Sequence, residues 1–219
     1  GYHSNDTRVV VANSGEDILP AAYSADLGTI IKPTNKLVLN AALWALFLEQ
    51  EFVYVGDAAI VEPSGKTRRL GADFGFRYQL TDWMYANADI NYTLARSTEE
   101  PEGENFIPLA PDLTSSGGIS FTDIGNFTGG ISYRFIKNRP ANEDNSIVAE
   151  GYFNTDLNMN YNWNNWTFGV IVENLFNSEW NETQFATESR LSNEPNSFEE
   201  IHFTPGTPFY LRGKIAVSF

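Results

Sequence analysis

Apolar and polar residues alternate one by one along segment after segment of this chain. A period of two sends neighbouring side chains to opposite sides of an extended backbone, so each such segment is built as a strand with one apolar face. The last segment shows it best. Phe209, Leu211, Gly213, Ile215, Val217 and Phe219 fall on one side, and Tyr210, Arg212, Lys214, Ala216 and Ser218 on the other. The same reading gives strands over residues 21–31, 36–55, 70–80, 83–95, 111–121, 127–135, 152–161, 166–174 and 208–219. One of them is contested. AALWALFLEQEF, inside 36–55, is rich in Ala and Leu and suits a helix on propensity. Its neighbours favour a long strand instead. Residues 7–12 (TRVVVA) offer a tenth strand.

The connections alternate as regularly as the side chains. Short turns at Pro33–Asn35, Thr81–Asp82, Asp123–Asn126 and Asn162–Asn165 are separated by long polar loops over 56–66, 97–110, 138–150 and 178–207. Short-long alternation is the mark of an antiparallel up-and-down barrel with all its loops at one rim, whereas Greek-key sandwiches do not alternate in this way. Trp83, Phe127 and Trp166 each open a strand just after a short turn, and Phe219 closes the last strand at the same rim. Aromatic residues gathered at one level read as part of a membrane-interface girdle. A complete bacterial barrel of this kind has an even number of strands. Nine strands therefore suggest a piece of a larger barrel.

Composition narrows the partners. Lys plus Arg number 14 against 28 Asp plus Glu, a formal charge of −14, which speaks against nucleic acid because phosphate contacts need a basic face. Cysteine is absent, so no disulfide framework or thiolate chemistry is available. No apolar run approaches the roughly 18 residues of a membrane helix, but a barrel strand needs only about 9–11 alternating residues. The opening GYHSNDTR carries no secretory signal, so a signal has been removed or the chain is an internal piece.

Charged residues also sit inside the alternating segments: Asp73, Arg77, Asp89, Arg134, Asp156, Glu173, Arg212 and Lys214. A cation facing lipid at mid-bilayer costs about 2–4 kcal/mol, so in a membrane barrel these side chains face inward. A soluble barrel binding an apolar ligand inside would turn the same pattern around. A small complete outer-membrane barrel, a pore or adhesin, is the other alternative.

Several stretches carry a family resemblance. YHSNDTR, FVYVGDAAIVEPSGKTRRLGADFGFRY, NFIPLAPDLTSSGGISF, VENLFNSEWNET and FYLRGKIAVSF are similar to segments of TonB-dependent outer-membrane receptors. The most specific is the N-L-F-(N/D)-x-x-(Y/W) box, here Asn174, Leu175, Phe176, Asn177 and Trp180. The resemblance implies that residues 1–219 form the C-terminal part of a plugged barrel of about 22 strands, without the plug domain itself. It implies outer-membrane lipid, the plug, TonB and a small nutrient ligand, such as an iron chelate or cobalamin, as partners, with transport rather than an enzyme activity and no cofactor. It also implies that Leu211, Ile215, Val217 and the terminal Phe219 present an assembly signal to the barrel-assembly machinery.

Site chemistry is sparse. Glu99, Glu100, Glu102 and Glu104 crowd one loop, and Glu188, Glu194, Glu199 and Glu200 another, without the spacing of an EF-hand. His3 and His202 are the only histidines, and neither has a partner at metal-ligand spacing. His3, Ser4 and Asp6 lie close in sequence, but adjacency is not triad geometry. By the resemblance, His3, Asp6 and His202 are the candidate ligand contacts in the loops, and no catalytic residue or metal site is expected.

Overall fold

The computed structural model describes residues 1–2, 18–55, 60–63 and 65–219. Its strands are β1 (Ala22–Thr34), β2 (Leu37–Leu48), β3 (Phe52–Val55), β4 (Ile60–Pro63), β5 (Thr67–Gln79), β6 (Met84–Ser97), β7 (Leu113–Ile124), β8 (Phe127–Ile136), β9 (Arg139–Pro140), β10 (Val148–Ala149), β11 (Tyr152–Trp163), β12 (Trp166–Glu173), β13 (Asn181–Ser189), β14 (Phe198–Pro205) and β15 (Tyr210–Val217). Nine of them make one sheet in the order β1-β2-β5-β6-β7-β8-β11-β12-β15. Every neighbouring pair is antiparallel, so the wall is an up-and-down meander. The other six strands are hairpins, β3–β4, β9–β10 and β13–β14, one in each of three long loops.

All nine strands read from the alternation are present. Two-residue connections at 125–126 and 164–165 put Gly125 (φ 62°) and Asn164 (φ 49°) in the left-handed region, where Gly and Asn are the least costly residues. Two expectations need correction. The strand over 36–55 stops at Leu48, because Glu51 turns into the wall, where its carboxylate accepts the Thr67 hydroxyl at 2.7 Å and pairs with Arg69. The loops over 56–66, 138–150 and 178–207 are not plain loops, since each contains part or all of a hairpin. Among the described residues β1 and β15 are the two edges of the sheet. The tenth strand expected over 7–12 lies outside the described residues. Gly1 and Tyr2 do meet β1 at its loop end: the Gly1 amine donates to the Ala22 carbonyl at 2.8 Å and Tyr2 bridges Ala21.

Register explains why the sheet holds one apolar face. Directly opposed residues in antiparallel strands project to the same side. One row runs Leu27, Leu43, Ala72, Tyr92, Leu113 across five strands. Another runs Tyr78, Ala86, Ile119, Ile131, Leu157, Val172, Leu211 across seven. A one-residue slip at any pair would turn a whole strand inside out, so the pattern fixes the register. Most of this face is exposed: Leu27, Leu43, Phe74, Ile90, Ile131, Val170 and Ile215 are all open, while Val172 at the loop end is covered. The opposite face carries the charges, joined across strands: Arg77–Asp89 at 2.7 Å, Arg134–Asp156 at 3.5 Å and Arg212–Glu173 at 3.6 Å. The Asn91 amide donates to Asp73 and accepts the Thr93 hydroxyl on the same side.

β2 is apolar on both faces, which is why its sequence looked helical. Leu37, Leu39, Leu43 and Phe47 belong to the outward rows, while Val38, Trp44, Leu46 and Leu48 join the polar side. The Trp44 ring lies flat over Gly71 on β5, where an added Cβ would come within 2.2 Å of it. Gly75 makes the same room for Asn40.

Candidate functional site

The four long connections, 49–66, 98–112, 137–151 and 174–209, all leave the wall at one rim. They hold 18 of the 28 carboxylates and 4 of the 14 basic residues. Their net charge of −14 equals that of the whole chain, so the strands and short turns, with the first 21 residues, carry ten acids and ten bases and are neutral.

These connections are folded against one another. Ala141, Ala149 and Ala186 form a small buried core, packed by Leu109, Ile147 and Ile201, so three loops contribute to it. Backbone bonds join the first two: Phe106 N–H to Glu143 C=O at 3.0 Å and Leu109 N–H to Pro140 C=O at 2.7 Å. Leu109 takes this position at φ 61°, a costly value for a bulky residue. Gln184, on β13, joins the third. Its amide accepts the Glu150 N–H at 2.9 Å and donates to the Glu150 C=O at 2.7 Å, as a paired strand residue would. Glu199 adds a bond from the Asn142 amide at 3.3 Å.

The N-L-F-N-x-x-W box clamps the stems of the last loop. Asn174 (φ 49°) donates from Nδ2 to the carbonyls of Ser178, at 2.8 Å, and Thr207, at 3.1 Å, while its Oδ1 accepts the Ser178 N–H. Asn177 Oδ1 accepts the Phe209 N–H at the start of the returning strand. The Trp180 indole donates to the Thr207 carbonyl, lies against Tyr152 with ring centres 4.8 Å apart, and covers Gly206. The Arg134 guanidinium stands 5.8 Å from the Trp180 ring, so the clamp reaches down to the charged face of the wall. Beside it, Asn154 on β11 is 1% exposed, and among the described residues neither its Oδ1 nor its Nδ2 has a hydrogen-bond partner.

His202 lies on β14 opposite Phe185. Its Nε2 is 3.1 Å from Ser189 Oγ and 3.6 Å from Glu200 Oε1, and the Ser189 hydroxyl donates to that carboxylate at 2.8 Å. Serine and carboxylate meet one ring nitrogen, whereas a nucleophilic triad needs them on different nitrogens. His3 and Asp6 lie outside the described residues. The two acidic clusters serve as loop ties rather than converging: Glu99 accepts from the Lys66 N–H, Glu194 from the Leu191 N–H and Glu188 from Ser197. Among the described residues, no three His, Asp or Glu side chains come together as metal ligands. Hydrogen bonds from Ser146 hold the exposed Asp144 carboxyl below its usual range, and burial lowers the pKa of the Arg139 guanidinium. Sequence reasoning missed Gln184, Leu109 and Asn142, whose roles depend on contacts between distant loops.

Residues 20–175 match the family described as TonB dependent receptor-like, beta-barrel. Among curated proteins none matches the chain. Among solved structures, the ferric yersiniabactin uptake receptor of Yersinia pestis superposes with a TM-score of 0.68 at 14% identity, over 92% of this chain and 30% of that one. The closed form of the ferric-catecholate import receptor of E. coli K12 gives 0.68 at 18% identity, over 98% and 30%. A copper transporter, OprC, gives 0.68 at 20% identity, over 92% and 32%. The chain thus spans about a third of the length of the structures it matches. The open nine-stranded meander, its loops gathered at one rim and the match over residues 20–175 agree: the chain belongs to the TonB-dependent receptor β-barrel family of the Gram-negative outer membrane.

Proposed function

We propose that this chain supplies wall and extracellular loops to an outer-membrane importer of a scarce nutrient, such as an iron chelate or cobalamin. The observation that carries the reading is the register. It sets a mainly apolar face, with arginines only at its loop end, toward lipid and an ion-paired face toward the lumen, with every folded loop at one end. In this reading the interlocked loops capture the ligand, and a plug domain inside the barrel is displaced with energy passed by TonB. Similar structures include receptors for ferric chelates and a copper transporter, which supports a scarce metal or its chelate as the class of cargo. The family match over residues 20–175 favours this reading over the two smaller-barrel alternatives.

In cells making the full-length protein, uptake is expected to require TonB, and cells making only residues 1–219 are expected to show none. Uptake by the piece alone would overturn the proposal. Topology has its own measurement. A cysteine at the exposed Asn193 is expected to react with an impermeant maleimide on intact cells, and one at Asn126 in a short turn only after lysis. Labelling of position 126 from outside would invert the arrangement.

Phe219, Val217, Ile215 and Leu211 are proposed as the signal read by the barrel-assembly machinery. All four side chains are exposed, and Val217, Ile215 and Leu211 lie in register with Trp166, Phe168 and Val172 on the outward face. Deleting Phe219 is expected to lower the folded, heat-shifted form on gels several-fold while synthesis is unchanged. An undiminished folded form would remove Phe219 from that role.

A further inference from the structure

We propose that Arg68 and Arg96 form a site on the outside of the barrel for the phosphate of a lipid headgroup in the leaflet next to the loops. The proposal rests on the membrane placement of the wall and not on any cargo.

Arg68 on β5 and Arg96 on β6 are directly opposed in the register, and both belong to the outward series that continues as Leu70, Ala72, Phe74 on β5 and Leu94, Tyr92, Ile90 on β6. Directly opposed like charges in a sheet are destabilising unless something lies between them. In this chain such a pair is out of pattern. Arg69, Arg77, Arg134 and Arg212, whose side chains meet the inner face, each have a carboxylate from a neighbouring segment. Among the described residues neither Arg68 nor Arg96 forms an ion pair, although the chain has twice as many acidic as basic residues. Arg96 is held in place instead: it donates to the Ala95 carbonyl at 2.6 Å and lies 4.2 Å from the centre of the Phe106 ring.

Their height on the wall points to the kind of anion that fits them. From Arg68 the outward series on β5 runs ten residues down to Tyr78. At about 3.4 Å per residue and a tilt of about 40°, that is about 26 Å along the membrane normal, close to the roughly 25 Å apolar band of such barrels. Tyr78 therefore marks one interface and the arginine pair the other. The next row below is wholly apolar, Ala25, Ala45, Leu70 and Leu94. At the level of the arginines, Phe47 and Tyr23 extend the row sideways as an exposed aromatic shelf beside Arg68. Two guanidinium forks over an apolar wall, with aromatic rings at the side, fit a phosphate whose acyl chains run down the barrel.

The test is native mass spectrometry of the full-length protein, delipidated in a neutral maltoside detergent, with short-chain phosphatidic acid as the probe and phosphatidylcholine as the control. The wild type is expected to retain phosphatidic acid about tenfold more than the Arg68→Gln, Arg96→Gln variant, as for charge-assisted, forked phosphate contacts. Arg68→Gln alone, at an exposed side chain with no ion-pair partner among the described residues, is expected to show several-fold weaker retention. Arg68→Lys with Arg96→Lys is expected to fall between. Inorganic phosphate at the same concentration should leave the bound lipid in place. Equal retention by wild type and the glutamine variants, equal retention of phosphatidylcholine, or displacement by inorganic phosphate would each overturn the lipid site. Nutrient uptake should not change in Arg68→Gln, so the import reading stands or falls separately.

Discussion

Arginine in place of Ile90 is expected to keep most of the protein from reaching its folded, membrane-embedded form. Ile90 lies in the outward row with Thr29, Ala41, Phe74 and Ser115, about midway between the Arg68 and Tyr78 levels. A cation on the lipid face at that depth costs about 2–4 kcal/mol, a large part of the stability of an ordinary domain. Val170→Arg on β12 is expected to behave alike, since Val170 faces outward between Met159 and Gly213. The control is Thr114→Arg. Thr114 is one residue from Ser115 and so at nearly the same depth, but it projects to the other face, in a recess lined also by Asp73 and Asn91. There an arginine meets the Asp73 carboxylate on the polar face, and the folded yield should stay near wild type. The measurement is the heat-shifted fraction on gels of membranes from cells making each full-length variant. Equal losses at Ile90 and Thr114 would contradict the assignment of faces.

The second large effect is expected in the loops. Ala149 has no exposed surface and sits between Ala141 and Ala186, so Ala149→Phe has no room. Overpacking of this kind costs about 1–3 kcal/mol. Gln184→Ala attacks the same body differently, leaving the Glu150 N–H and C=O without the partners that Gln184 gives them, for about 1–3 kcal/mol per unsatisfied group. If the three loops are one cooperative unit, either change should open all of them. Protease cleavage in 98–112 and 137–151 should then rise together with cleavage in 174–209, while the wall keeps its gel shift. Nutrient binding to the full-length protein should fall by an order of magnitude or more, because the loops no longer hold one arrangement. Cleavage confined to the substituted loop would show that the three fold independently.

Much of the wall was legible because barrel strands report themselves locally. Period two, Gly or Asn at tight turns and loop length need no knowledge of distant residues. The errors fall where that locality fails. β2 carries Trp44 and Leu46 on the inner side because Gly71, far along the chain, leaves space for the Trp44 ring. The hairpins within the loops stayed hidden because their strands mix glutamates into both faces, as Glu188 opposite Glu199 and Thr187 opposite Glu200 show. The Asn174 box was visible as a family mark, but its chemistry, an amide tying two loop stems, appears only when Thr207 is brought beside Ser178. Arg68 and Arg96 are unremarkable in sequence, and only the register sets them side by side. Of the loop residues proposed for ligand contact, His202 is engaged with Ser189 and Glu200 in a hairpin whose neighbours could not be read from spacing.

The uneven distribution of charge along the barrel axis has an energetic consequence. The loops hold the whole net charge of −14, and the inner wall below them pairs Arg77, Arg134 and Arg212 with carboxylates. A small cation diffusing toward the rim thus meets an attractive potential well, which salt at physiological strength confines to within about 8 Å of the loops. Beyond that depth the neutral wall offers it no continuing downhill gradient. A rim of this kind raises the local concentration of small cations and, by the same potential, lowers that of small anions.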